Sequence, residues 1–420
     1  MTKGANQPSN SRHAITTSLL IPGRGPPIPN AAVIIEGSKV SWVGSSKDLS
    51  SNIPARHVPY LLPGLWDCHV HFVGVTSLKI SSYFATSPVH TGLRLARDAA
   101  ATLDAGFTSV RDVGGFGPDV AKAVAEGVVR GPNVYGAGSA IGMTAGHTDK
   151  HSLPLRVVQH VNEEGSPAEI ADGVDGCVRA VRLQLRKGAW VIKICGTGGA
   201  GSELDDPRHR QYSDEELRAF VGEADRAGRI VAAHCHGREG ILACLRAGVK
   251  TIEHGSYLDD EVIQEMVKRD AILVPTRSVF ESGLKLAELW EPESYEKLKR
   301  MAEAHEASYK LAVRSGVKIA LGTDLDMSNN GLLGHGRNGK ELYYAVKAGM
   351  SPLQAIEACT ATAPATLGPQ APLSGQVKEG YDADLIAMDE NPLDDIDLVS
   401  KPDNIKFVWK GGELVKSPGS

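Results

Sequence analysis

The stretch "LRKGAWVIKICG", residues 185–196, reads as the end of a helix, a glycine and a short apolar strand. Glycine just past a helix serves as the left-handed cap, and a run rich in Val and Ile favours a pleated, buried setting. The same phrase recurs in "LDAGFTSVRD" (103–112), "DRAGRIVAAHCHG" (225–237), "LRAGVKTIEHG" (245–255) and "VRSGVKIALGTD" (313–324). In "VKRDAILVPT" (267–276) Asp270 stands where the others have glycine. Adding "LWDCHVHF" (65–72) and "NVYGAG" (133–138) gives eight strands. Near-continuous apolar strands alternating with amphipathic helices predict an α/β fold with a helix-covered parallel sheet. Eight units over residues 63–365 match a (β/α)8 TIM-like barrel in count and length. A doubly wound open sheet is the second reading, weakened because no GxGxxG follows the first strand.

The two ends differ in texture. Residues 15–62 and 366–420 alternate short strand-like runs with Pro/Gly turns, which predicts small antiparallel sheet. We expect one small β-sandwich domain assembled from both termini, with residues 1–14 as a disordered lead. The 420 residues are 42% hydrophobic and carry a net charge of −5, so no basic surface points to nucleic acid or a membrane. The polar opening lacks the apolar core of a secretory signal, and a cytoplasmic location is expected, secretion with a removed signal remaining open. The six cysteines show no paired framework and are expected to be free thiols.

In a barrel of this kind chemistry sits at the C-terminal ends of the strands. The first strand ends in His69 and His71, whose i, i+2 spacing puts both side chains on one face. The fourth carries Lys193, the fifth ends in His234, the sixth in His254 and the eighth in Asp324. Surface polar residues would not select strand ends in this way.

Each residue also has a plainer account. Lys193 could form a buried ion pair with an acid of the barrel. Alternatively, burial lowers its pKa and leaves a neutral amine able to add CO2, giving a carbamate that can bridge two metal ions. His254 could be a hydrogen-bonded core histidine. His234 and His236 form a second HxH; one strand end does not easily offer both to one cluster, so His234 is favoured as ligand, with His236 on the substrate side or purely structural. Asp324 is favoured over Asp326, which already lies in the loop. Four histidines, a modifiable lysine and a carboxylate make an N/O set suited to Zn2+ and compatible with Mn2+ or Co2+.

HxH on the first strand, Lys on the fourth, His on the fifth and sixth and Asp on the eighth resembles the amidohydrolase superfamily with a binuclear metal centre. The resemblance runs from about residue 60 to residue 395 and includes "VKEGYDADLIAMDENPL" (377–393), similar to that superfamily's small-domain signature. The segments "TSVRDVGG", "GMTAGHTD", "VIKICGTGG", "DDPRHRQYSDEEL", "VAAHCHG" and "TIEHGS" look like the branch holding prolidase-like and carboxypeptidase-like dipeptidases and ochratoxinase. That resemblance implies hydrolysis of an amide joining an acyl group to an amino acid with a free carboxylate. It also implies a homo-oligomer, often an octamer. Carried over by position, His69 and His71 would bind the more buried metal, N6-carboxylated Lys193 would bridge, and His234 and His254 would bind the second. Asp324 would be ligand and proton shuttle, and His147 would contact the scissile carbonyl or its oxyanion.

Two metal ions lower the pKa of a bridging water to about 7, giving a hydroxide that can attack the carbonyl without a Ser or Cys nucleophile. The substrate carboxylate wants a cation or hydroxyl, for which Arg208, His209, Arg210, Tyr212, His236 and Arg277 are candidates. A one-metal deaminase or cyclic-amide hydrolase of the same fold is the rival reading, opposed by Lys193. A non-enzymatic assembly protein on this barrel is the rival from another class, opposed by the intact ligand set.

Overall fold

The computed structural model describes residues 12–77, 86–163, 167–290, 292–329 and 331–419. The expected disordered lead lies outside the described residues up to residue 11; its last three residues belong to a strand. The chain begins with β1 (Arg12–Leu20), β2 (Ile28–Glu36), β3 (Lys39–Ser45) and β4 (Ala55–Pro63). It then enters an α/β region with β5 (Leu65–Val75), β6 (Phe107–Asp112), β7 (Asn133–Gly136), β8 (Ala140–Gly142), β9 (Ala168–Ile170) and β10 (Ile192–Cys195). There follow β11 (Val231–Cys235), β12 (Thr251–His254), β13 (Ile272–Val274), β14 (Lys318–Ile319) and β15 (Leu325–Met327). The chain closes with β16 (Leu385–Met388), β17 (Ile405–Lys410) and β18 (Glu413–Lys416).

The central strands form two parallel sheets, ordered β14-β13-β12-β11-β10-β8-β9 and β15-β5-β6-β7. Backbone hydrogen bonds cross between the sheets on both sides: Trp190 N to Gly136 O at 2.9 Å, and Cys68 N to Leu321 O at 2.9 Å. All eight expected strands are present; β8, β9 and β15 are additions the sequence pattern did not separate. The strand before Asp324 is shorter than expected. Its ladder ends at Ile319, and the chain runs on to Asp324, whose N–H is held by His69 O at 2.7 Å.

The turns between helix and strand explain the repeated phrase. Gly106, Gly188, Gly228, Gly248 and Gly316 all have positive φ, where a Cβ is penalised. Asp270 adopts φ +50° at the equivalent place, and its carboxylate reaches Lys318 Nζ at 2.5 Å. Asp is among the few residues that tolerate this conformation. The strands that follow are dry: Ile192, Ile194, Ala233 and Ile252 are fully buried in one core.

The strands of both ends join in one sheet, ordered β18-β17-β16-β4-β1-β2-β3. Hydrogen bonding thus describes a single sheet of seven strands where a sandwich was expected. It is mixed rather than purely antiparallel, because β1 and β4 run parallel. β4 and β16, more than 300 residues apart in sequence, pair through Leu62 and Ile386. Among the described residues no helix is long and apolar enough to cross a membrane. All six cysteines are free and buried.

Candidate metal centre

The strand ends bring the predicted residues together. His69, His71 and Asp324 place one ligand atom each within 4.8 Å of one another, and so do His234, His236 and His254. His71 Nε2 lies 2.9 Å and His69 Nε2 3.3 Å from Asp324 Oδ1. The groups adjoin: the ring centroids of His69 and His254 are 5.0 Å apart, and Asp324 Oδ2 is 3.9 Å from His254 Nδ1. His236 lies with the second group, although one strand end was not expected to offer both histidines easily. His234 and His236 are two apart, the spacing that puts His69 and His71 on one face, so both rings can turn to the same group.

Lys193 sits beside the first group, 2% exposed, with Nζ 3.5 Å from His69 Nε2. That contact is with an imidazole rather than with an acid, so the ion-pair account is not what the structure shows. Burial pushes its pKa down, against the pull of Glu253, Cys195 and Asp324. Burial likewise holds His234, His236 and His254 well below the ordinary histidine value, leaving neutral rings with a lone pair to offer. For Asp324 burial opposes the charge, but His69 and His71 beside it hold the carboxyl well below the usual range. The three lowered imidazoles and the Asp324 carboxylate are donor types that suit a divalent metal ion.

Outer partners fix the ring orientations. His69 Nδ1 donates to Glu253 Oε2 at 2.7 Å, turning Nε2 towards Asp324 and Lys193. Glu253 is in turn bound by Arg111 at 2.7 Å, and both side chains are fully buried. Arg111, after burial the largest influence on Glu253, contributes with His69 to holding its carboxyl down to about 2. His71 Nδ1 donates to Gly114 O at 2.7 Å, and the His254 ring meets Thr276 Oγ1 at 2.7 Å. Asp67 accepts from the His69 and Thr323 amides, at 3.0 Å each, tying the first strand to the eighth. His254, Thr276 and Asp324 all adopt left-handed backbone, with φ +72°, +55° and +62°. Such strain clusters at functional sites because the surroundings must enforce it.

The residues proposed for the substrate carboxylate fare differently. Arg208 is exposed and forked onto Asp206 at 2.7 Å. Tyr212 is buried in the core with its hydroxyl on Ala171 O at 3.2 Å. Arg277 is buried, donating to Ala302 O at 2.6 Å and Glu281 at 2.7 Å. The end groups of Tyr212 and Arg277 are spent inside the protein, which corrects their assignment as substrate contacts; Arg208 stays at the surface on Asp206. Arg210 donates to Tyr212 O and Asp214. His147 does reach the centre, its ring stacked on His234 with centroids 4.2 Å apart.

Glu253 and Arg111 were missed by the sequence reading. The signal existed, since a charged residue inside an apolar strand is what singled out Lys193, and "TSVRD" holds Arg111 and "TIEH" Glu253 in the same way. Ser202 and Asp205, which contact His147, carried no such signal.

Residues 60–415 match the profile of the Amidohydrolase family. The chain is 46% identical to ochratoxinase from Aspergillus niger over 96% of its own length and 87% of that protein. The crystal structure of A. niger ochratoxinase superposes with a TM-score of 0.91 at 45% identity, covering 97% of this chain and 96% of that one. A prolidase complexed with N-methylphosphonate-L-proline superposes with a TM-score of 0.89 at 30% identity, covering 97% of this chain and all of the other.

Proposed function

The chain belongs to the amidohydrolase family and is a hydrolase acting on C–N bonds, and from that premise we propose that it cleaves the amide between an acyl group and an amino acid with a free carboxylate. N-acyl amino acids, dipeptides and ochratoxin-like amides are the substrate class. The observation that carries this reading is the pair of adjoining donor triads, one buried and one part-buried, with Lys193 Nζ beside His69 of the latter. On this reading the two parallel sheets, bonded across both seams, are one (β/α)8 barrel with the terminal strands as its companion domain, and the active protein is a homo-oligomer.

Two divalent ions, zinc first, would supply Lewis acidity, polarising the scissile carbonyl and lowering the pKa of water to about 7. His69, His71 and Asp324 would hold one; His234 and His254, with His236 in reach, would hold the other. Carboxylated Lys193 would join the two sites, its position beside His69 Nε2 being that of a shared ligand. Asp324 has one oxygen on His71 and the other towards His254, so it spans both sites. In that role it would take a proton from the attacking water and deliver it to the leaving nitrogen. Glu253 and Arg111 keep the His69 lone pair aimed at the centre. The presence of two triads rather than one argues against a one-metal deaminase.

A screen of N-acyl amino acids and dipeptides with zinc-loaded protein tests the proposal. Release of the free amino acid supports it. Release of ammonia from amino-substituted rings, with every acyl amino acid left intact, contradicts it.

A further inference from the structure

Thr276 opens the helix Arg277–Leu284, in the position where a threonine side chain ordinarily caps the first free amides. Here it makes no such bond. Its hydroxyl is turned to the second triad instead, with Oγ1 2.7 Å from His254 Nδ1, and the residue is fully buried. That contact sets how far the His254 ring turns about its Cβ–Cγ bond, as outer partners of metal ligands do. The ring is then only as well placed as Thr276 itself. Thr276 has φ +55°, a left-handed conformation that a β-branched residue does not hold unaided.

Two side chains from distant helices enforce it. His305, from the helix Pro292–Arg314, donates from Nε2 to Pro275 O at 2.6 Å and holds the chain entering Thr276. Glu341, from the helix Lys340–Lys347 and 1% exposed, holds the chain leaving it. Glu341 Oε1 accepts from Arg277 N at 2.9 Å, and Oε2 accepts from Ser278 N at 2.8 Å and Ser278 Oγ at 2.6 Å. Arg277 N belongs to the peptide plane that joins the two residues, so fixing it fixes Thr276 ψ. The same carboxylate satisfies the first two amides of the helix, which need an acceptor, and its charge suits that end of the dipole. Capping is thus delegated to Glu341 while the Thr276 hydroxyl serves the histidine.

We propose that Glu341 is a positioning residue of the metal centre: by capping the helix that Thr276 opens, it leaves the Thr276 hydroxyl to hold the His254 ring in place for the second ion. This rests on the binuclear reading above.

Zinc-loaded protein equilibrated against a graded series of chelator concentrations reports the affinity of each ion without any turnover. Loss of an outer partner of a metal ligand costs about 10- to 100-fold in affinity. Thr276→Val and Glu341→Ala are each expected to weaken one of the two ions by tenfold or more and to move the other by less than threefold. Because Glu341 acts through Thr276, the double variant should stay within threefold of Thr276→Val alone. Thr276→Ser, which keeps the hydroxyl, should hold both ions as wild type does. Losses that multiply in the double variant, or both ions weakened alike by Glu341→Ala, would overturn the proposal. Should Glu341→Ala fail to fold, Glu341→Gln, which keeps one acceptor oxygen, enters the same comparison with a smaller loss expected at the same ion. Wild type holding one zinc ion or none would overturn the binuclear reading and the proposal with it, and shows before any variant is made.

Discussion

At the scale of single residues, Lys193 bears the heaviest chemical demand, because a buried amine without an acid partner has to be neutral or modified. If it acts as a carbamate, Lys193→Ala removes the link between the two triads. Turnover should fall to near background, and acetate or propionate should restore a part of it by standing in for the lost carboxylate. Activity of Lys193→Ala close to wild type would remove the bridge from the account. Asp324 and Asp326 give a sharper contrast. Asp324 touches His69 and His71, whereas Asp326 has a buried oxygen with no hydrogen-bond partner, and burial followed by the Asp324 charge pushes its carboxyl up to about 7. General acid–base catalysis is worth about 10²–10⁴-fold. Asp324→Asn should therefore lower kcat by at least that factor at matched metal occupancy, and Asp326→Asn by far less. Kinetics of the two variants decide between them; an inactive Asp326→Asn would reverse the assignment. These residues were legible because their types and their places at strand ends coincide. His236 was half legible: its type stood out, but its i, i+2 spacing from His234, which puts both on one face, was not carried through to membership of the second triad. Arg277 was misread as a carboxylate contact because a sequence shows that it is cationic and not that Glu281 and Ala302 O already hold it.

At the scale of elements, the helix–Gly–strand phrase was read correctly because it has a local cause, the left-handed turn. Asp270 tests that cause. With φ +50°, it carries a Cβ penalty that glycine would not, partly offset by its exposed pair with Lys318. The left-handed conformation costs a residue with a Cβ about 1–2 kcal/mol. Asp270→Gly is thus expected to be more stable than Asp270→Ala by about that amount in urea unfolding. Equal stabilities would show that the turn does not enforce the conformation. The terminal sheet shows the limit of local reading. Alternation announced strands, but the parallel β1–β4 pair and the β4–β16 seam depend on partners that no local pattern names.

At the scale of the whole molecule, the buried chain Arg111–Glu253–His69 binds three strands behind the centre. Its folded-state pKa for Glu253, about 2, lies below the ordinary 4.5. The unfolded chain binds the more protons in that window, so this contribution is complete above about pH 4.5 and is lost as pH falls through about 2. Glu253→Gln should flatten the acid limb of the stability curve of metal-free protein between about pH 4.5 and 2, besides lowering overall stability. An unchanged slope would mean that the ion pair is not what keeps Glu253 charged. The opposite charges of "TSVRD" and "TIEH" were visible in sequence; their pairing, 142 residues apart, was a property of the fold alone.

The account stands or falls on two metal ions acting together on an amide. Metal-free protein titrated with zinc, while amino-acid release from an N-acyl amino acid is followed, tests this directly. The account predicts activity rising to a plateau at about two zinc ions per chain. A plateau at one ion per chain, or no amino acid released at any zinc level, would contradict it.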